Sequence, residues 1–151
     1  MLRARDIMTP NPVSVRPNTT VVEVARLMSK FGIGSVLIID ENGKLVGIVT
    51  SRDIVNKVVA KGLDPKNTYA RDIMSSPVIY ASPNTLVKEL AELMSKNNIH
   101  HVPIVEGQRV VGIVAEHDIL TYAPEMIEAL EILYTGVRRR GSRFRSVYEQ
   151  E

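Results

Sequence analysis

An internal repeat constrains this chain more than any other feature. Arg5-Asp6-Ile7-Met8 returns as Arg71-Asp72-Ile73-Met74, and Leu27-Met28-Ser29-Lys30 returns as Leu93-Met94-Ser95-Lys96, each 66 residues later. The offset falls to 65 residues after Asp40-Glu41-Asn42-Gly43. Self-similarity at such a period indicates repeated supersecondary units, each too small to bury a core alone. The sequence therefore predicts one small unit built twice.

In the most informative stretch of each repeat, an apolar run is followed by a short polar segment that contains an aspartate. It reads Gly47-Ile48-Val49-Thr50-Ser51-Arg52-Asp53 in the first repeat and Gly112-Ile113-Val114-Ala115-Glu116-His117-Asp118 in the second. The pattern predicts a strand that enters a helix N-terminus, where unpaired backbone N–H groups favour an anionic ligand. The aspartate could accept hydrogen bonds from a diol such as a ribose. We therefore expect two equivalent pockets for a nucleotide-like ligand.

Hydrophobic periodicity predicts the order strand, helix, strand, strand, helix in each repeat, and hence an α/β (α+β) fold with a small mixed sheet. Thr19 or Thr20 is expected to cap the first helix, and Thr20-Val21-Val22-Glu23 fits a capping box. Asn42-Gly43 between two β-branched runs predicts a hairpin. A second helix is expected over residues 51–61, with Gly62 as its cap. Pro103 in the matching strand of the second repeat predicts an edge position or a bulge.

We place the first repeat at residues 1–66 and the second at residues 67–122. Residues 123–136 are expected to form a C-terminal amphipathic helix that begins at Pro124 and packs on its own repeats or on a second subunit. Its apolar stripe consists of Met126, Ile127, Leu130, Leu133 and Tyr134. Residues 137–151 form an Arg-rich tail.

Composition excludes several classes of protein. The chain has no cysteine, which excludes disulfides and thiolate chemistry. No apolar run approaches the ~20 residues that span a bilayer, and the N-terminus lacks a signal-peptide apolar segment. No nucleophile–base pairing, glycine-rich phosphate loop or dinucleotide fingerprint is present. We expect a cytoplasmic protein that is not an enzyme, requires no cofactor and does not engage a membrane.

The order of these motifs, repeated twice, resembles tandem cystathionine-beta-synthase (CBS) domains, the pair often called a Bateman module. The similarity covers roughly residues 3–122 and includes Pro17-Asn18-Thr19, Pro83-Asn84-Thr85 and the run Ile99-His100-His101-Val102-Pro103. It implies two CBS units packed with pseudo-twofold symmetry and clefts between them that bind adenosine derivatives. A stand-alone regulatory module is therefore expected, with AMP, ADP, ATP or S-adenosylmethionine as its ligand, a homodimeric state and a regulated protein partner.

The resemblance also implies which residues contact the ligand. The family's ribose-binding aspartate corresponds to Asp53 and Asp118, and its phosphate-contacting hydroxyl to Thr50. Ala115 stands where the family prefers a hydroxyl, so the second site departs from the pattern. The full set of candidate ligand contacts is Thr50, Arg52, Asp53, His100, His101, His117 and Asp118.

Each of these residues also has a plain structural interpretation. The aspartates and Thr50 could be helix caps only, and Arg52 and His117 could be solvated surface. Adjacent histidines in a strand point to opposite faces, so one of His100 and His101 is expected to be structural. A metal site formed by either histidine with His117 and Asp118 matches no recognised ligand spacing, and we expect none.

The tail supports an alternative function. The formal net charge of the chain is +2, but residues 137–151 alone contribute +3. The tail residues that could contact phosphates or stack on a base are Arg138, Arg139, Arg140, Arg143, Phe144 and Arg145. The alternative is a nucleic-acid-binding protein in which the CBS pair is a dimerising scaffold. The tail could equally be a solvated end, or an arm that binds an acidic patch.

Overall fold

The computed structural model describes residues 1–131. None of the helices within them is long and apolar enough to cross a membrane. The predicted mixture of helices and small sheets is confirmed. The regular elements are α1 (Ala4–Ile7), β1 (Thr9–Pro10), β2 (Ser14–Val15), α2 (Val21–Phe31), β3 (Ser35–Ile39), β4 (Leu45–Thr50), α3 (Ser51–Ile54), α4 (Ala70–Ile73), α5 (Val87–Asn97), β5 (His101–Glu106), β6 (Arg109–Ala115) and α6 (Glu116–Tyr122).

The chain forms two compact units, which we call the Asp53 unit and the Asp118 unit. The Asp53 unit consists of Pro10–Tyr80 with Val105–Gly112, and the Asp118 unit consists of Met1–Thr9, Ala81–Ile104 and, within the described part of the chain, residues 113–131. These units differ from the repeat boundaries at residues 66 and 67, because each short N-terminal helix bonds outside its own repeat. Helix α1 is held by the Thr85 carbonyl, and α4 by the Thr19 carbonyl. The boundaries of the sequence repeats therefore do not coincide with the boundaries of the compact units.

The Asp53 unit contains a mixed sheet in the order β2-β3-β4, with β2 parallel to β3 and β3 antiparallel to β4. Helix α2 covers it. Thr20 caps α2 as expected, since its hydroxyl accepts a hydrogen bond from the Glu23 N–H at 3.4 Å. Gly32, at φ +62°, ends the helix. The core of this unit is formed by Val21, Val24, Met28, Val36, Ile38, Val49, Val58, Ala70 and Ile73.

The helix predicted over residues 51–61 is only partly α-helical. After the single turn of α3, residues Val55–Val59 form a π-helical turn, and Gly62 ends the segment at φ +70° as expected. This stretch is rich in β-branched residues, which lose rotamer freedom in a regular α-helix. The wider turn buries Val58 completely and leaves Val55 and Val59 exposed.

Glycine at position 47 allows the segment after α4 to lie against β4. An added Cβ at Gly47 would lie 2.3 Å from Met74 Sδ and 2.9 Å from Met74 Cβ. Ser75, the next residue, pairs with Ile48 through an antiparallel bridge. This contact fixes the chain that follows α4 on the strand that leads to Asp53.

The Asp118 unit is built on α5, whose Leu90 and Met94 side chains are completely buried. Strand β5 lies at an edge of the sheet β1-β6-β5, as Pro103 predicted. The Pro103 carbonyl accepts a hydrogen bond from the Ala81 N–H at 3.0 Å.

The prediction of one amphipathic α-helix over residues 123–136 is wrong for the part that the structure describes. Pro124–Met126 and Glu128–Leu130 are separate 3-10 turns, although Pro124 does begin the first. Tertiary contacts override helix propensity here: Leu130 is completely buried, and the Ser95 hydroxyl of α5 donates a hydrogen bond to the Ala129 carbonyl. Residues 128–130 therefore pack on their own unit. The rest of the stripe lies outside the described residues.

Candidate functional site

In the Asp53 unit, the strand-to-helix junction is closed by a capping box. One carboxylate oxygen of Asp53, Oδ2, accepts hydrogen bonds from the Thr50 N–H at 2.8 Å and from the Thr50 hydroxyl at 3.1 Å. The Thr50 hydroxyl in turn accepts a hydrogen bond from the Asp53 N–H at 3.2 Å. Both residues therefore have the capping role of the plain interpretation, and Asp53 still has its second oxygen for other partners.

The Asp118 unit repeats this arrangement with one part missing. Asp118 Oδ2 accepts a hydrogen bond from the Ala115 N–H at 2.8 Å, and the residue is only 8% exposed. Ala115 has no hydroxyl, so the N–H of Asp118 receives no side-chain cap. The departure from the family pattern thus removes one capping hydrogen bond.

The second oxygen of each aspartate faces a basic side chain. Lys57 Nζ lies 3.1 Å from Asp53 Oδ1 and donates a hydrogen bond to the Ile73 carbonyl at 2.9 Å. His117 Nε2 lies 3.3 Å from Asp118 Oδ1. Sequence reasoning missed Lys57, although its position four residues after Asp53 is the spacing of a helical ion pair. A ligand hydroxyl that reaches either Oδ1 must share it with this basic side chain or displace that side chain.

Backbone hydrogen bonds show which positions of the two units correspond. The Ser51 N–H donates to the Gly34 carbonyl at 3.0 Å, and the Glu116 N–H donates to the His100 carbonyl at 2.9 Å. Glu116 therefore takes the place of Ser51, and His100 the place of Gly34. In the Asp118 unit this pair of positions carries a side-chain hydrogen bond, because His100 Nδ1 contacts Glu116 Oε2. Glu116 was not among the predicted site residues, since only the fold brings it to His100.

The two adjacent histidines lie in different environments. His100 precedes β5, which begins at His101, so regular strand alternation does not apply to the pair. Burial lowers the pKa of His101 below its ordinary value of 6.5, and the nearby His100 lowers it further, while Asp118 and Glu116 oppose the shift. Both histidines are half-buried, so exposure alone does not separate a structural histidine from a ligand-contacting one.

The remaining candidate contacts are solvent-facing. Arg52 is exposed, and the His117 side chain is 80% exposed. Within residues 1–131, no group of three or more His, Asp or Glu residues is arranged to hold a metal ion. The six tail residues of the nucleic-acid alternative, Arg138 to Arg145, lie outside the described part of the chain.

A cavity of about 620 Å³ lies elsewhere in the Asp53 unit and was not predicted. It is lined by residues 42–46 at the β3–β4 turn, residues 76–78 and Tyr80 after α4, and residues 105, 107 and 108. These segments are distant in sequence, so no local pattern could have indicated the cavity. None of the residues of the two strand-to-helix junctions lines this cavity.

Comparison with known proteins identifies the family. The CBS domain model matches residues 4–60 and 70–125. An uncharacterised protein of Methanopyrus kandleri is 41% identical over 128 residues, which are 84% of this chain but 63% of that protein's length. Hypoxic response protein 1 of Mycobacterium tuberculosis is 34% identical over 125 residues, 83% of this chain and 87% of that protein.

A solved structure shows the same fold with ligands bound. It is the CBS domain pair of protein MJ0100 in complex with 5′-methylthioadenosine and S-adenosyl-L-methionine, with a TM-score of 0.74 and 38% identity. The match covers 80% of this chain and 94% of that one. With the family model matched at both repeats, the chain belongs to the CBS domain family and carries two tandem CBS domains.

Proposed function

We propose that this protein is a regulatory module that binds an adenosine-containing ligand at its two strand-to-helix junctions. The observation that carries the proposal is that the two carboxylate oxygens of each aspartate have different contacts. Oδ2 of Asp53 and of Asp118 anchors the residue to the backbone, while Oδ1 faces an exposed basic side chain, Lys57 or His117. Because the helix cap does not use Oδ1, each aspartate can accept hydrogen bonds from a ribose diol while Oδ2 keeps it in place. The adenosyl ligands of the related CBS pair support the same class.

The energies favour exchange of the cation for a ligand. An ion pair between residues four apart on a helix contributes about 0.3–0.5 kcal/mol, and Lys57 is 43% exposed, which screens it further. A hydrogen bond from a ribose hydroxyl to a carboxylate contributes about 1.5–3 kcal/mol. The diol can therefore displace Lys57 from Oδ1, and the ammonium remains nearby for a phosphate.

Regulation would follow from a difference in affinity between two conformations of the protein. A ligand shifts such an equilibrium only to the extent that it binds one conformation more tightly. The expected homodimer and the regulated protein partner stay predictions. No chemical step is required of any residue in this mechanism.

A thermal-shift panel tests the proposal. A ligand at 100 times its dissociation constant adds about 2.7 kcal/mol of stability, which raises Tm by several degrees. We expect a shift with AMP, ATP, S-adenosylmethionine or 5′-methylthioadenosine that is lost when Asp53→Ala and Asp118→Ala are combined. Thr20→Ala is the matched control, because it removes a helix cap far from both junctions in sequence. Equal shifts in the wild type and the double variant would refute the site.

Nucleic-acid binding is the second candidate function, and it rests on the five arginines of residues 137–151. If the tail carries it, affinity for a short RNA falls linearly with salt concentration on logarithmic scales, and deletion of residues 137–151 removes that slope. The deletion leaves adenosine binding unchanged, because the junction residues lie between positions 50 and 118. A salt slope that survives the deletion would contradict this candidate.

A further inference from the structure

The two strand-to-helix junctions, which we call the Asp53 junction and the Asp118 junction, carry different charges at corresponding positions. Glu116 stands in the Asp118 unit where Ser51 stands in the Asp53 unit, as their equivalent backbone bonds to residues 100 and 34 show. At the 65-residue offset, Tyr122 corresponds to Lys57. One junction has therefore gained a carboxylate and lost an ammonium relative to the other.

The Asp53 junction is the cationic one. Lys57 lies 3.1 Å from the Asp53 carboxylate and neutralises it, and the neighbouring Arg52 adds a guanidinium that is exposed to solvent. Position 51 is a serine and position 34 a glycine, so no acidic side chain stands at either of these two positions. A ligand phosphate would meet two cations there and one carboxylate that is already paired.

The Asp118 junction has the opposite character. Two carboxylates, Glu116 and Asp118, lie close to imidazoles, and neither forms a salt bridge with a lysine or arginine of residues 1–131. His100, one of the candidate ligand contacts, is already hydrogen-bonded to Glu116. A phosphate that contacts the same imidazole would lie beside the Glu116 carboxylate, which is 17% exposed and carries a like charge.

We propose that the two junctions select adenosine ligands by charge, with Glu116 as the residue that excludes phosphate from the Asp118 junction. The Asp53 junction takes a phosphate-bearing adenosine nucleotide. The Asp118 junction takes a phosphate-free adenosyl compound, for which a positive charge such as a sulfonium is an advantage. The inference rests on the proposed function and extends it to ligand class. Both ligands of the related MJ0100 pair are phosphate-free compounds of this kind.

Reciprocal exchange of the two matched residues tests the inference in the intact protein. Calorimetric titrations use ATP and S-adenosylmethionine as probes, with Asp53→Ala or Asp118→Ala as the background that leaves one junction in use. In the Asp53→Ala background we expect binding of S-adenosylmethionine and little binding of ATP. Glu116→Ser should then raise ATP affinity by at least about tenfold and weaken S-adenosylmethionine. In the Asp118→Ala background, Ser51→Glu should lower ATP affinity by a similar factor.

The results distinguish a failure of charge selection from a failure of the proposed adenosine binding. Glu116→Gln, which keeps the side-chain size and removes only the charge, should reproduce the ATP gain if Glu116→Ser proves unstable. If the aspartate variants abolish adenosine binding but neither Glu116 substitution changes the ATP affinity, charge selection is wrong and the binding site stands. If no adenosine ligand binds the wild type, the proposed function fails and the inference fails with it.

Discussion

The ammonium of Lys57 lies 3.1 Å from Oδ1 of Asp53, the one oxygen of that carboxylate that the helix cap does not use. Lys57 therefore competes with a ribose hydroxyl for Asp53 and attracts a phosphate at the same time. The wide π-helical turn that contains Lys57 also brings it to the Ile73 carbonyl. Turns of this kind occur often at functional sites.

Replacing Lys57 should change the affinities for two ligands in opposite directions. The variant is Lys57→Met, combined with Asp118→Ala so that only the Asp53 junction can bind. We expect ATP to bind about tenfold more weakly, because the ammonium that would contact its phosphates is lost. Adenosine should bind as well as before or better, since Oδ1 is free. Lys61→Met, an exposed lysine of the same segment, is the control. Parallel losses for ATP and adenosine would show that Lys57 acts through folding alone.

Restoring the missing hydroxyl of the Asp118 junction should stabilise the protein. Ala115→Thr supplies an acceptor for the Asp118 N–H, as Thr50 does for Asp53 at 3.2 Å. The expected gain in the free energy of unfolding is about 1 kcal/mol, measured by urea denaturation. Thr20→Ala, the removal of an existing cap, should cost a similar amount. A decrease in stability with Ala115→Thr would mean that residue 115 lacks the room or the geometry for the cap.

Acid should destabilise the protein through His101. Because burial lowers the pKa of His101 in the folded chain, the unfolded chain binds a proton more readily as pH falls through 6.5. Stability is therefore fully present above pH 6.5 and is lost as pH falls toward the lowered pKa of the folded state. The charged and titratable groups around His101 are His100, Asp118, Glu116 and His117.

The measurement is the free energy of unfolding in urea at pH 7.5 and pH 5.5. In His101→Gln we expect a smaller loss of stability between these two pH values than in the wild type. His117→Gln, which replaces an exposed imidazole, is the control. An unchanged pH dependence in His101→Gln would contradict the assignment.

A side chain at position 47 should disrupt the contact between β4 and the segment after α4. Gly47→Ala places a Cβ within 2.9 Å of three Met74 atoms, so the methionine must move. The expected cost is about 1–3 kcal/mol of unfolding free energy. In the Gly47→Ala/Met74→Ala double variant the two effects should be less than additive, because Met74→Ala removes the two closest contacts, at Sδ and Cγ, and leaves the one at Cβ, 2.9 Å away. Full additivity would show that the two residues do not interact.

Local patterns predicted the parts of the fold that depend on local physics. The Thr20 cap, the Asn42-Gly43 hairpin and the Gly62 helix end each rest on a few neighbouring residues, and each is present. The family resemblance pointed to the junction aspartates, and the structure places each in a cap. Edge strand β5 was also foreseen, because Pro103 has no N–H to donate.

Features that depend on distant segments were not predictable. Helices α1 and α4 bond to carbonyls outside their own repeats, which no periodicity reveals. The pairing of Glu116 with His100 requires the ends of β5 and β6 to be brought together by the hairpin. The C-terminal turns follow the burial of Leu130 on α5 and not the helical period of residues 123–131.

Calorimetric titration of S-adenosylmethionine and ATP into the wild type, Asp53→Ala, Asp118→Ala and Thr20→Ala tests the central claim most directly. We predict that each aspartate variant loses at least about tenfold in affinity for one adenosine ligand, while Thr20→Ala binds both as the wild type does. If both aspartate variants bind both ligands with wild-type affinity, the junctions are helix caps only, and adenosine binding, if present, occurs elsewhere in the protein.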